Sequence, residues 1–150
     1  MGNYEIVDVP EMAALVRRAT CANTQIGPAI SRLYGEIMAG NPDAELEGPP
    51  CLFYLRWGPE NCDIEAALPV APTTIPAPGT ELKTYPACRA VTTEHVGSYE
   101  GLAQAWMNLW SHITASKLDA VGTPWDCYVT DPGEEPDPNQ WVTELYVPVI

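Results

Sequence analysis

The sequence predicts an α+β domain made of two copies of a β-α-β-β module, with antiparallel sheets carrying helices on one face. Three observations point there. Residues Ile26, Ile30, Leu33, Tyr34 and Ile37 recur at the spacing of a single helix face. The same stripe returns, 26 becoming 102, as Leu102, Trp106, Leu109, Trp110 and Ile113, with Ala29 matched by Ala105. Landmarks on either side repeat in the same order: Val9-Pro10 with Tyr85-Pro86, Pro50 and Tyr54 with Pro124 and Tyr128, and Glu65 with Pro69-Val70 against Glu144 with Pro148-Val149. A repeat governs the fold assignment because each copy must be the same structural unit.

Taken in order, the first module (3–70) opens with a strand over 5–18, bulged at Pro10, where the ladder loses a donor. A helix follows behind the candidate caps Asn23 and Thr24, with Pro28 in its first turn, and two strands are expected at 51–57 and 62–70. The second module (80–150) repeats this with a strand over 81–94, a helix over 99–116 behind Ser98, and strands at 125–130 and 141–149. Between them, 71–79 holds Pro72, Pro76, Pro78 and Gly79, a stiff extended connector.

The 150 residues are 46% hydrophobic and 18% charged, which suits one folded domain. Twenty acidic against seven basic side chains give a formal charge of −13, so nucleic acid and anionic membranes are poor partners. No stretch approaches the roughly 20 apolar residues of a membrane span and no signal-peptide pattern opens the chain, which predicts a cytoplasmic protein. The cysteines at 21, 51, 62, 88 and 127 lack a Cys-x-x-Cys and read as reduced packing residues. No cofactor or metal motif is present: His95 and His112 lack ligand spacing, and the acid-rich loop at 131–138 reads as solvated.

Strand alternation places Leu145, Val147 and Val149 toward the helices, so Glu144 and Tyr146 face the other way. In the first module Ala66, Leu68 and Val70 face the helix and Glu65 does not. Each glutamate is either a solvated outward residue or, lined by aromatics, a group that must find a cation or a proton. Trp106 and Trp110 are assigned to the core with Tyr34. Tyr54 and Tyr128, at equivalent strand positions, are expected on the face of the glutamates, which puts Trp57 and Trp125 on the opposite face unless a bulge intervenes. Trp57 and Trp141 complete the candidate lining.

The run from Ala90 to Leu102, with His95-x-Gly97-x-Tyr99, then Tyr128-x-Thr130-Asp131-Pro132 and Glu144-x-Tyr146-x-Pro148, resembles the GyrI-like small-molecule-binding domain, the effector-binding domain of multidrug-sensing bacterial regulators. The resemblance covers nearly the whole chain. It implies a ligand cleft between the two modules in which Glu144 meets lipophilic aromatic cations and Tyr128 and Tyr146 help line the wall. Ala19, Cys21 and Asn23 stand where the second module has His95, Gly97 and Tyr99, a departure that touches the carry-over to Glu65. With the first strand starting near residue 5, the expected form is stand-alone, without a helix-turn-helix.

Two function classes follow. The first is polyspecific binding of hydrophobic, often cationic, aromatic small molecules. The second, implied by the same resemblance, is a hydrolase that opens cyclopropane rings of genotoxic natural products, with Glu144 as general base, Tyr128 as acid and Glu65 as a further candidate. The family name alone adds a third, a protein partner such as DNA gyrase.

Overall fold

The computed structural model describes residues 3–150. Each half of the chain contributes two strands, a helix and two strands. In the first half these are β1 (Glu5–Val9), β2 (Met12–Ala22), α1 (Ile26–Gly40), β3 (Cys51–Trp57) and β4 (Asn61–Pro69). In the second they are β5 (Glu81–Tyr85), β6 (Cys88–Val96), α2 (Leu102–Ala115), β7 (Trp125–Tyr128) and β8 (Val142–Pro148). The architecture is the α+β one the repeat predicts.

One correction concerns the opening strand of each half. Pro10 and Pro86 do more than bulge it: with no N–H to donate, each proline ends one strand, and a second begins two residues later. The separated pieces then pair in different places. β1 pairs antiparallel with β6, Val7 opposite Ala90, while β5 pairs antiparallel with β2, Lys83 opposite Ala14. The chain accordingly forms two compact units, the described residues up to Val9 with 88–150, and 10–87. The first unit orders its strands β1-β6-β8-β7 and the second β5-β2-β4-β3. The repeat is one of sequence, and the compact units exchange one edge strand each.

Both helices take their places through the apolar stripe. In the first unit Leu109 and Ile113 of α2 are buried with Val91, Leu145, Val147 and Val149, and Leu102, Ala105, Trp106 and Leu118 pack against them. In the second, Leu33 and Ile37 of α1 are buried, as are Ile64, Ala66 and Leu68 of β4. A leucine buried this fully contributes about 1.5–3 kcal/mol relative to its exposed state. Trp110 departs from its assignment to the core: it is 39% exposed, at the margin of the stripe.

The expected side-chain caps do not form. A 3-10 turn precedes each helix, at Asn23–Gln25 and Tyr99–Gly101; the Asn23 N–H bonds the Glu60 carbonyl and the Leu102 N–H bonds the Tyr99 carbonyl. Asn23 instead donates through Nδ2 to the Gly58 carbonyl, and the Ser98 carbonyl receives the Gly101 N–H and meets His95 Nε2.

Candidate functional site

The register of each sheet decides which side chains share its helix-free face. In the 10–87 unit, Glu65 on β4 lies opposite Arg18 on β2 and opposite Phe53 on β3. Lys83 and Tyr85, on the next strand out, belong to the same face. The four groups converge on one carboxylate. Arg18 Nε donates to Glu65 Oε2 at 2.5 Å, and Lys83 Nζ and the Tyr85 hydroxyl donate to Oε1 at 2.7 and 2.5 Å. Phe53 stacks on Tyr85 with centroids 4.1 Å apart, and the Lys83 ammonium also sits 4.8 Å from the Tyr85 ring centre.

Glu65 has no solvent exposure. Burial alone would push its pKa up, but the hydrogen bonds from Lys83, Tyr85 and Arg18 outweigh it and hold the carboxyl below its ordinary value. The same burial, with the adjacent carboxylate, pushes the Tyr85 hydroxyl far above the usual tyrosine range. Both carboxylate oxygens of Glu65 already accept hydrogen bonds from the protein's own side chains.

In the other unit the same position is Glu144. It lies on β8, opposite Glu94 of β6 on one side and Cys127 of β7 on the other. Two residues along, Tyr146 lies opposite Thr92 and Trp125. The Tyr146 hydroxyl donates to Glu144 Oε1 at 3.1 Å, and the Tyr146 ring stacks on Trp125 with centroids 4.8 Å apart and planes 5° from parallel. Burial, and then the Glu144 charge, raise the Tyr146 pKa, so its hydroxyl stays protonated. Glu144 itself is half-buried. Among the described residues no lysine or arginine pairs with it.

The contrast follows from the repeat. Glu94 stands where the other unit has Arg18, and Val7 and Val9 of β1 stand where it has Lys83 and Tyr85. One glutamate of the matched pair is therefore neutralised by its own protein. The other faces a second carboxylate across the sheet.

The aromatic candidates divide differently from the expectation. Tyr128 lies opposite Thr143, which places it on the helix-bearing face, away from Glu144, and Trp125 is the aromatic that joins Glu144 and Tyr146. Tyr128 meets Tyr99 edge-on at 5.7 Å, and Tyr99 meets Trp141 at 4.9 Å. Trp141 donates its indole N–H to the Glu135 carbonyl and borders a groove with Ser98, Tyr99, Glu100, Pro138 and Asn139. Tyr54 lies opposite Ile64, again on the helix-bearing face. The ladder shifts at Leu55, so the bulge brings Trp57 to that face as well, 6.2 Å from Tyr54 and 59% exposed. Glu144 and Tyr146 are brought together, while Tyr54, Trp57, Tyr128 and Trp141 are not placed beside either glutamate.

The phase of β7 is fixed from inside the core. Asp126 alternates with Trp125, is fully buried, and accepts the Trp106 indole N–H at 3.3 Å. A tryptophan on a helix and packed toward the sheet needs an acceptor for its N–H, and that need is the sequence signal that turns Asp126 toward α2 and Trp125 away. No group of three or more metal-ligating side chains is assembled among the described residues. No helix among them is long and apolar enough to cross a membrane.

Comparison with known proteins agrees with this fold. No curated protein matches the sequence. The fold is similar to that of the EcmrR C-terminal domain, at 21% identity and a TM-score of 0.87 over 100% of this chain and 98% of that one. In the EcmrR–DNA complex the similarity covers 99% of this chain (22% identity, TM-score 0.87), but this chain spans only 57% of the length of EcmrR. It is also similar to SAV2435 bound to tetraphenylphosphonium, at 14% identity and a TM-score of 0.75 over 99% and 94% of the two chains. A hydrolase encoded by lin2189 of Listeria innocua shares the fold at 15% identity and a TM-score of 0.66, over 98% and 91%. The profile of the GyrI-like small molecule binding domain matches residues 2–150, and the chain belongs to that family.

Proposed function

We propose that this small-molecule-binding domain takes up lipophilic aromatic cations at the helix-free face of β6, β8 and β7, with Glu144 as counter-ion and the Tyr146–Trp125 stack as platform. The observation that carries this reading is the missing neutralisation of Glu144. Its counterpart Glu65 receives Arg18, Lys83 and Tyr85, whereas Glu144 receives one neutral hydroxyl and faces Glu94. A cation relieves that repulsion. A cation over an aromatic face gains about 0.5–2 kcal/mol, more when water is excluded. Stacking and a single charge tolerate many ligand shapes, so broad specificity follows.

Competition against a fluorescent lipophilic cation tests this reading. Planar or propeller-shaped aromatic cations are expected to displace the dye at micromolar concentrations, while sulfonated anions of the same size do not. Equal displacement by both signs of charge overturns the assignment of Glu144 as counter-ion.

A hydrolase reading is favoured by one contact, the Tyr146 hydroxyl 3.1 Å from Glu144. In the ring opening of an activated cyclopropane, the Glu144 carboxylate removes a proton from water as the new C–O bond forms. The ring C–C bond breaks, and the electron pair passes to the conjugated acceptor, which the Tyr146 hydroxyl protonates. Glu65 does not suit the general-base role, because its lone pairs already accept three hydrogen bonds. A gain of 18 Da in an incubated cyclopropane substrate, read by mass spectrometry, supports turnover, and unchanged substrate at saturation leaves binding alone.

A further inference from the structure

We propose that Cys21 and Cys62 form a reversible oxidation site that takes a hydroperoxide as oxidant and closes as a cross-strand disulfide between β2 and β4. The two residues are direct partners in the antiparallel ladder, within a single compact unit. Their Sγ atoms are 3.9 Å apart. Directly opposed residues of such a ladder have Cα atoms about 4.5–5.5 Å apart, inside the range a disulfide spans. The bond therefore needs side-chain rotation and little movement of the strands. All five cysteines are free thiols, and this pair is held in bonding register by backbone hydrogen bonds on both sides.

The two sulfurs are not equivalent. Cys21 is half-buried and open to a small oxidant, while Cys62 has no solvent exposure and lies opposite Trp57 on β3. Burial, with the neighbouring Cys21 sulfur, pushes the Cys62 thiol up to about 11. Cys21 is thus the sulfur that is oxidised first and Cys62 the one that resolves it. The Cys21 thiolate attacks the hydroperoxide: an S–O bond forms, the O–O bond breaks, and hydroxide or alkoxide leaves, so that sulfur is oxidised by two electrons and the peroxide reduced. The Cys62 sulfur then attacks the Cys21 sulfenic acid. The S–S bond forms, the S–O bond breaks, and the departing hydroxide takes the Cys62 proton as water. A dithiol reverses the step by exchange.

Position confers a consequence on closure. Three residues along each strand stand Arg18 and Glu65, and next to the pair Thr20 and Arg56 hold Asp63. A bridge at Cys21 and Cys62 pins the end of the β2–β4 ladder that carries these contacts.

The test treats the full, reduced chain with a small molar excess of hydrogen peroxide, blocks the remaining thiols, and maps peptides by mass spectrometry. Expected are a loss of 2 Da, a linked peptide pair carrying Cys21 and Cys62, full reversal by dithiothreitol, and circular dichroism unchanged from the reduced chain. Accumulation of Cys21 at plus 32 Da without linkage, linkage through Cys51, Cys88 or Cys127 instead, or no oxidation while the chain remains folded overturns the proposal. In Cys62→Ser, oxidation is expected to stop at plus 16 or 32 Da on Cys21. Should that variant fail to fold, the order of events is read in the wild type by trapping the sulfenic acid with dimedone. Trapping on Cys21 supports it, and trapping on Cys62 contradicts it.

Discussion

Glu65 and Glu144 occupy the same register position of two repeated sheets, yet Arg18 lies opposite the first and Glu94 opposite the second. That single exchange of sign separates a carboxylate neutralised within the protein from one that, among the described residues, has no lysine or arginine partner. The edge strands extend the difference, Lys83 and Tyr85 on one side against Val7 and Val9 on the other.

A first consequence is for stability. Removing the charge of Glu65 leaves Arg18 and Lys83 facing each other around a buried amide. Complete loss of one partner of a buried pair costs about 3–5 kcal/mol, but Arg18 retains solvent contact, so Glu65→Gln is expected to cost about 2–3 kcal/mol. Urea unfolding monitored by tryptophan fluorescence measures it. A cost below about 0.5 kcal/mol, the range of an ordinary surface substitution, contradicts a structural role for Glu65.

The same cluster sets a pH dependence. Because the folded pKa of Glu65 lies below its unfolded value, the stability it contributes is present above about pH 4.3 and drains away as the pH falls through the folded value. Tyr85 acts on the other side. Its folded pKa is raised, so its contribution is complete below about pH 10 and declines at higher pH. Unfolding free energy measured against pH is expected to fall in both directions, and Glu65→Gln is expected to flatten the acid arm. An unchanged acid arm in that variant assigns the acid dependence to other groups.

Tyr146→Phe separates binding from turnover. The substitution keeps the ring on Trp125 and deletes only the donor to Glu144. Affinity for a lipophilic cation is expected to change less than about fivefold, because the hydroxyl bonds Glu144 in the free and the bound protein alike and its loss shifts their difference by about 1 kcal/mol or less. Hydrolysis, where it occurs, is expected to drop at least about 100-fold with loss of the proton donor. Isothermal titration and product mass spectrometry on the same variant read the two effects.

The parts of this arrangement that the sequence displayed are those carried by a local period. The stripes from Ile26 to Ile37 and from Leu102 to Ile113 mark both helices, and alternation along 145–149 turns Glu144 and Tyr146 away from the core. What it concealed depends on long-range pairing. β7 has only four residues, too few for alternation to fix its phase, and Trp125 rather than Tyr128 shares the face of Glu144. Tyr54, expected on the face of Glu65, lies instead opposite Ile64 on the helix-bearing face, and the bulge at Leu55 puts Trp57 on that face beside it. The neutralisation of Glu65 was hidden for a different reason: Lys83 and Tyr85 reach it on β5, a strand contributed by the second half of the chain.

The asymmetry between the two glutamates is tested most directly by titrating tetraphenylphosphonium and the uncharged triphenylphosphine oxide into the wild type and Glu144→Gln. Loss of a charge partner in a half-dry site is expected to weaken the phosphonium at least about tenfold, or about 1.4 kcal/mol, while the uncharged compound shifts less than about threefold. Equal phosphonium affinity in the two proteins, with both folded, would contradict Glu144 as the counter-ion.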